Sequence, residues 1–203
     1  MSLFKKIFGP KSKATSQDET AQERSKYMPE LRLPVDEMFT INFKKNGGKF
    51  LYCDSTDEIN EAFGNILKEN DWLAKEAICL DEQLADRFSD FNIFFSKTNH
   101  NAKFFFSTCE YLVGNNGAIL VSSRQIAEKK LNDLPDNFVV FATTSQLVET
   151  LGEGLRGIKN KDRSKIPSNI TTIKHFEPAA EEKDFLSYGS SSKNLYLLLL
   201  EDL

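Results

Sequence analysis

Short apolar runs alternate with amphipathic stretches from residue 31 to the end of the chain. Runs such as FVVFAT at 138–143 and NLYLLLL at 194–200 contain few polar residues, which is typical of strands that are buried on both faces. The predicted strands lie at residues 49–53, 77–81, 91–95, from 104 onward, and at 117–122, 138–143, 170–176 and 194–200.

Helix signals lie between these strands. Pro34 suits the first turn of a helix, and Gly47 or Gly48 suits the end of that helix. Ser55 and Glu58 have the spacing of a capping box, and an apolar stripe follows them. The predicted helices lie at residues 34–47, 55–67, 82–88 and 145–155, with a short or irregular helix at 126–134.

The alternation of strands and helices predicts an α/β fold with a mostly parallel sheet flanked by helices on both faces. The first 30 residues have a different composition, since a short amphipathic segment at 1–8 is followed by polar residues with almost no large apolar side chain. Such a segment buries too little surface to offset the entropy of ordering it. We therefore expect a flexible tail over 1–30 and one domain over 31–203.

Composition narrows the functional classes. The net charge of −4 and the pI near 5.4 disfavour binding to nucleic acid, and no apolar run has the length of a membrane span. The chain has three cysteines and no Cys-x-x-Cys pair, which argues against a disulfide framework, an iron–sulfur cluster of its own or a structural metal site. We therefore expect a cytoplasmic protein without a bound metal.

One polar turn interrupts the apolar segment Cys-Glu-Tyr-Leu-Val-Gly-Asn-Asn-Gly-Ala-Ile-Leu-Val-Ser-Ser at 109–123. This turn consists of Gly114, Asn115, Asn116 and Gly117. Glycine and asparagine tolerate positive φ better than other residues. Two interpretations remain open. The turn closes a β-hairpin with Asn116-Gly117 as a type I′ pair, or its N–H groups face an anionic small molecule.

Two more segments carry polar residues beside predicted strands. His175 lies near the end of the strand at 170–176, where it would serve as a general base or a metal ligand, or would be merely structural or exposed. Ser190, Ser191 and Lys193 precede the last strand. They form either a solvated connection or a loop that closes over a ligand with Lys193 as its charge partner.

Cys109 and Glu110 are candidate nucleophiles at the start of the 109–123 segment. Cys109 has apolar neighbours and no nearby histidine in the sequence, which favours a buried inert thiol. Glu110 precedes the turn rather than lying in it, which disfavours a carboxylate nucleophile of the CoA-transferase type. The residues show no complete catalytic constellation, and the basic loop at 159–169 is typical of a solvated surface.

The order of these motifs resembles that of the LUD-domain family, whose best-known member is lactate utilization protein C. The resemblance rests on the glycine pair at 47–48, the turn at 114–117, the strands at 138–143 and 194–200, and the helix that begins near Ser145. It implies a fold like that of the NagB/RpiA/CoA-transferase group, with ligand sites at the carboxyl ends of strands. It also implies a role with iron–sulfur partner proteins in oxidising L-lactate to pyruvate, with the clusters held only by the partners.

The chain departs from the family pattern in the polar motifs. The family's turn carries an acidic or polar residue and then Thr-Gly-Thr, whereas this chain has Asn115-Asn116-Gly117-Ala118. The serines at 190–192 replace the family's His-Gly-Pro. With the resemblance, the candidate ligand residues are Gly114, Asn115, Asn116, Gly117, His175, Ser190, Ser191 and Lys193.

Three functions follow from these observations. The first is an accessory protein of lactate oxidation that acts with iron–sulfur subunits. The second is an enzyme of the CoA-transferase-like group, or another enzyme that binds a phosphate-bearing ligand. The third is a diverged scaffold without catalysis, which the missing polar motifs favour.

Overall fold

The computed structural model describes residues 33–99, 101–161, 163–176 and 193–202. The predicted tail at 1–30 lies outside these residues and stays a prediction. Ser190 and Ser191 of the candidate ligand site lie outside them as well. Among the helices of the described residues, none has both the length and the apolar character that crossing a bilayer requires.

Most predicted elements are present. In the described ranges the strands are β1 (Lys49–Cys53), β2 (Glu76–Cys79), β3 (Phe94–Ser96), β4 (Phe104–Thr108), β5 (Tyr111–Val113), β6 (Ala118–Ser122), β7 (Asn137–Thr143), β8 (Leu147–Val148), β9 (Ile170–Ile173) and β10 (Asn194–Leu200). The α-helices are α1 (Val35–Lys45), α2 (Thr56–Glu69), α3 (Glu82–Arg87), α4 (Ser123–Ile126) and α5 (Leu151–Lys161). Short 3-10 turns cover Leu131–Asp133 and Thr144–Gln146.

A parallel sheet forms the centre of the described domain. Its strands lie in the order β1-β10-β7-β4-β2-β3, and each neighbouring pair is parallel. The middle strands β10 and β7 are the longest apolar runs of the sequence, as expected where both faces of a strand are covered. The predicted α/β fold with a mostly parallel sheet is confirmed.

Helices α2 and α3 cover one face of this sheet. Ser55 caps α2 by accepting a hydrogen bond from the Glu58 N–H, so the predicted cap is confirmed. The Glu58 carboxylate reaches back to the N–H of Asp54 at 2.8 Å, one residue before the cap. The aromatic rings of this layer pack closely, with the centroid of Phe63 4.8 Å from that of Phe88 and 4.9 Å from that of Phe106.

Helix α1 packs on the opposite face, where the Phe43 ring lies 6.5 Å from the ring of Phe50 in β1, and its Asn42 contacts a second sheet. This sheet has the order β8-β5-β6-β9, with β6 antiparallel to both β5 and β9 and with β8 parallel to β5. The sequence analysis did not separate it from the parallel sheet, because apolar runs of two to five residues do not reveal their pairing partners.

The prediction of a helix from Ser145 onward was wrong at its start. Leu147 and Val148 form β8, where they pair with Leu112 and Val113 of β5. Helix α5 begins only at Leu151, because the Thr150 hydroxyl accepts a hydrogen bond from the N–H of Glu153. The pairing with β5 outweighs the helical spacing of these apolar residues.

Candidate functional site

The turn at 114–117 closes the antiparallel hairpin of β5 and β6. Val113 pairs with Ala118, so all four residues lie in the loop. The hairpin interpretation is therefore confirmed, but the type I′ turn at Asn116-Gly117 was wrong. Gly117 has φ +64°, whereas Asn116 keeps a negative φ.

The turn directs most of its N–H groups into the protein. The N–H of Gly114 donates to Val148 at 2.8 Å, and that of Asn115 donates to Glu149 at 3.0 Å. The N–H of Gly117 donates to Val113 at 2.9 Å across the loop. Three of the N–H groups that were candidates for binding an anion therefore have partners within the chain. The exposed residue of the turn is Asn115.

Two asparagines of the α1 region hold the carbonyl groups of the turn. The Asn42 amide donates to the Gly114 oxygen at 2.9 Å, and the Asn46 amide donates to the Asn116 oxygen at 2.7 Å. The sequence analysis gave Asn42 no role. No local signal in the sequence marks such a contact, since Asn46 and Asn116 are 70 positions apart.

The structure links the backbone near the turn to the other predicted site residues. The Asn46 oxygen accepts a hydrogen bond from the N–H of Phe176, and the His175 oxygen accepts one from the N–H of Lys193. The His175 side chain is exposed. As predicted, it lies just beyond the end of a strand, but that strand is β9 of the second sheet rather than a strand of the parallel sheet.

The Lys193 ammonium group is buried and directed away from the turn. It is 2% exposed, and it donates to the carbonyl oxygens of Leu134 at 3.0 Å and Pro135 at 3.1 Å. It also lies 3.4 Å from the carboxylate of Asp136. Burial lowers the pKa of Lys193, and Asp136 opposes that shift. Lys193, which the sequence analysis offered as the charge partner of a ligand, therefore stabilises the loop that precedes β7.

The carboxyl edge of the parallel sheet carries a buried acid that the sequence analysis had set aside. Glu110, 2% exposed, follows β4 and accepts a hydrogen bond from the Ser122 hydroxyl at 2.6 Å. Arg124 lies 3.6 Å from its carboxylate and Lys161 lies 3.9 Å from it. The two cations and the hydroxyl group compensate the negative charge of the buried Glu110 carboxylate. Its contacts link β4, β6 and α5, and the carboxylate does not face solvent.

Gln146 completes the surroundings of this acid. Its amide donates to the carbonyl oxygens of Cys109 at 2.6 Å and Glu110 at 3.3 Å. Burial, assisted by the charge of Glu110, raises the pKa of the Cys109 thiol. The interpretation of Cys109 as a buried inert thiol agrees with this geometry.

Hydroxyl groups and a carboxylate meet where β7 and β10 end. Asp202 accepts hydrogen bonds from the Thr144 hydroxyl at 2.9 Å and from both the N–H and the hydroxyl of Ser145, at 2.8 and 2.7 Å. Burial works to raise the pKa of Asp202, but these hydrogen bonds outweigh burial and hold the pKa below its ordinary value. The contacts tie the two central strands together at their carboxyl ends.

The described residues contain no group of three or more histidine, cysteine, aspartate or glutamate side chains that could hold a metal ion. Cys53, Cys79 and Cys109 are all free and buried. Cys53 ends β1, Cys79 ends β2, and Cys109 follows β4. The thiols are therefore distributed along the sheet.

Comparison with known proteins assigns the family. The family model of the LUD domain matches residues 37–200, which is most of the chain. The chain belongs to the LUD-domain family. No curated protein matches it. The fold is similar to that in the crystal structure of a DUF162 family protein from Deinococcus radiodurans, with a TM-score of 0.58 and 14% sequence identity over 83% of this chain and 96% of the other.

Proposed function

We propose that this LUD-domain protein is an accessory subunit in the oxidation of L-lactate to pyruvate in the cytoplasm, and that it acts with iron–sulfur partner proteins. The observation that carries the proposal is the LUD-domain match over residues 37–200. Lactate utilization is the role that this family resemblance implies.

The cysteines support the placement of the redox clusters in the partners. A four-cysteine cluster needs four thiolates, whereas this chain has three cysteines. Burial raises the pKa of Cys53 and of Cys79 to about 11, which disfavours the thiolate that an iron atom requires. In the proposal, this protein binds and orients cluster-bearing subunits.

Deletion of the gene tests the proposal. The deletion strain is expected to lose growth on L-lactate and to retain growth on glucose, and a plasmid copy is expected to restore lactate oxidation in cell extracts. Affinity purification of the plasmid-encoded protein from lactate-grown cells is expected to recover cluster-bearing proteins. Normal growth and lactate oxidation in the deletion strain would contradict the proposal.

A second candidate, a scaffold without catalysis, is favoured by the partners of the turn. The N–H groups of Gly114, Asn115 and Gly117 donate within the chain, and the ammonium group of Lys193 is buried. If the protein acts as a scaffold, Asn115→Ala and His175→Ala should restore growth of the deletion strain as well as the natural sequence does. Both side chains are exposed, so their loss leaves the core intact. A folded variant that fails to restore growth would exclude the scaffold.

A further inference from the structure

A cavity of about 310 Å³ lies on a face of the parallel sheet, away from the 114–117 turn. Its floor includes Ile78 of β2, and its walls come from the loop after β3 and from the segment before β7, including Ala102, Leu134 and Pro135. None of the six predicted ligand residues that the structure describes lines it. Its volume is at the lower end of the range for sites that hold small organic molecules.

Two polar side chains that line this cavity, and one buried hydroxyl near it, lack partners among the described residues. Lys129 and Thr98 line it, and neither the ammonium group of the first nor the hydroxyl group of the second has a hydrogen bond or an ion pair to a described residue. The buried hydroxyl oxygen of Ser96 has no hydrogen bond among the described residues either. Ser96 pairs with Ile78, so its side chain projects from the same face of the sheet as the cavity floor.

Lys129 supplies the positive charge of the described cavity lining. The buried Lys193 ammonium group donates to the carbonyl oxygens of Leu134 and Pro135, but it is paired with Asp136 at 3.4 Å and adds little net charge. Asp133 also lines the cavity, and its carboxylate accepts a hydrogen bond from the N–H of Lys130 at 3.2 Å. That hydrogen bond occupies one carboxylate oxygen of Asp133, the acid among the described lining residues, within its own turn.

We propose that this cavity binds a small organic acid, with the carboxylate at Lys129, the apolar chain against Ile78, Leu134 and Pro135, and Thr98 as a hydrogen-bond donor. An apolar floor with a few convergent polar groups is the usual composition of such sites. The lysine without a protein partner selects the anion, and the exposed Thr98 hydroxyl exchanges a hydrogen bond to water for one to the ligand. The proposal depends on this cavity alone and is independent of the role in lactate oxidation.

Three probes of equal chain length but different charge test the site on the full-length purified protein. Hexanoate, hexylamine and 1-hexanol are titrated separately at pH 7 and low ionic strength, and amide resonances are followed by NMR. Hexanoate is expected to shift the amides around Ala102 and Lys129 and to bind at least about tenfold more tightly than either other probe, because only hexanoate pairs with the lysine. Equal or tighter binding of hexylamine would assign the site to Asp133 and overturn the proposal.

Matched lysine variants separate the site from general surface charge. Lys129→Gln is expected to weaken hexanoate binding about tenfold, whereas Lys130→Gln, which removes the same charge from the next residue, is expected to leave the affinity within about twofold. Ala102→Leu fills the cavity and is expected to abolish binding. Folding of each variant is checked by its amide spectrum. Unchanged binding in both Lys129→Gln and Ala102→Leu would refute the assignment, whatever the deletion strain shows.

Discussion

Backbone conformation and packing both require a residue without a side chain at position 117. Gly117 has φ +64°, and a Cβ there would lie 2.4 Å from backbone atoms of Asn42 and Phe43 in α1. Backbone atoms in a helix do not move aside as the end of a long side chain does. The glycine therefore fixes how closely the hairpin approaches α1, a structural role that is sufficient without a ligand.

Gly117→Ala is expected to lower the free energy of unfolding by about 2–4 kcal/mol, since strain and overlap add. Asn115→Ala is the matched control in the same turn, and because its side chain is exposed we expect a change within about 0.5 kcal/mol. Urea unfolding followed by circular dichroism measures both. A Gly117→Ala variant as stable as the natural protein would show that the hairpin can move away from α1.

The lowered pKa of Asp202 makes stability depend on pH. A carboxyl group whose pKa is lower in the folded than in the unfolded protein stabilises the fold above its unfolded pKa of about 3.9, and that contribution is lost as the pH falls through the folded pKa. Asp202→Asn is therefore expected to destabilise the protein at pH 7 and to have a smaller effect at pH 3, as measured by urea unfolding. Asp90→Asn, at an exposed aspartate, should have little effect at either pH. An Asp202→Asn penalty that is equal at both values would contradict the argument.

Single elements differ in how well the sequence predicts them. The strands at 138–143 and 194–200 were predicted to within one residue, because long apolar runs in a parallel sheet are covered on both faces and need no particular partner to be recognised. The edge strand at 49–53, which is only half-buried, was also predicted at its observed bounds. The second sheet could not be predicted in this way. Its β8 has two residues, and only its pairing with β5 makes it a strand.

The candidate site was less predictable than the fold for a related reason. The turn at 114–117 was recognised from its glycines and asparagines, which act locally. The partners that decide what its N–H groups can bind, Val148 and Glu149, lie more than 30 residues away. Likewise nothing near Lys193 in the sequence indicates that its ammonium group is buried against the loop before β7.

Helix α5 offers a prediction at the scale of an element. Its glycines differ in surroundings, since a Cβ at Gly154 would lie 2.6 Å from the buried Leu120 side chain, whereas one at Gly152 would meet nothing closer than 3.9 Å. Gly152→Ala is expected to stabilise the protein by up to about 1 kcal/mol through helix propensity. Gly154→Ala is expected to destabilise it by about 1–3 kcal/mol, because overpacking against β6 exceeds that gain. Thermal unfolding of both variants measures the difference, and equal stabilisation would mean that α5 does not pack tightly on β6.

For the whole molecule, the family comparison separates fold from chemistry. This chain and the DUF162 family structure share a fold at 14% identity. A core of apolar strands tolerates many side chains if volume and pattern are kept, so such likeness leaves the polar residues free to differ. The family assignment therefore gives the sheet and the order of its elements, while the ligand must be sought in the cavities and polar contacts of this chain.

The cysteines report on the stability of the whole sheet. Cys53 ends β1, Cys79 ends β2 and Cys109 follows β4, and all three are buried. With a pKa of about 11, only about one in a thousand of the Cys53 or Cys79 thiols is ionised at pH 8. Alkylation by iodoacetamide is therefore expected to require opening of the sheet, and to be at least about 100-fold slower in the folded protein than in 6 M guanidinium chloride. Mass spectrometry of the time course identifies which thiol reacts.

If the sheet opens as one unit, urea should accelerate the alkylation of all three thiols in parallel with loss of the circular dichroism signal. Rapid alkylation of a single cysteine in the folded protein would show that this part of the sheet opens by itself, and would leave that thiol available as a metal ligand after all.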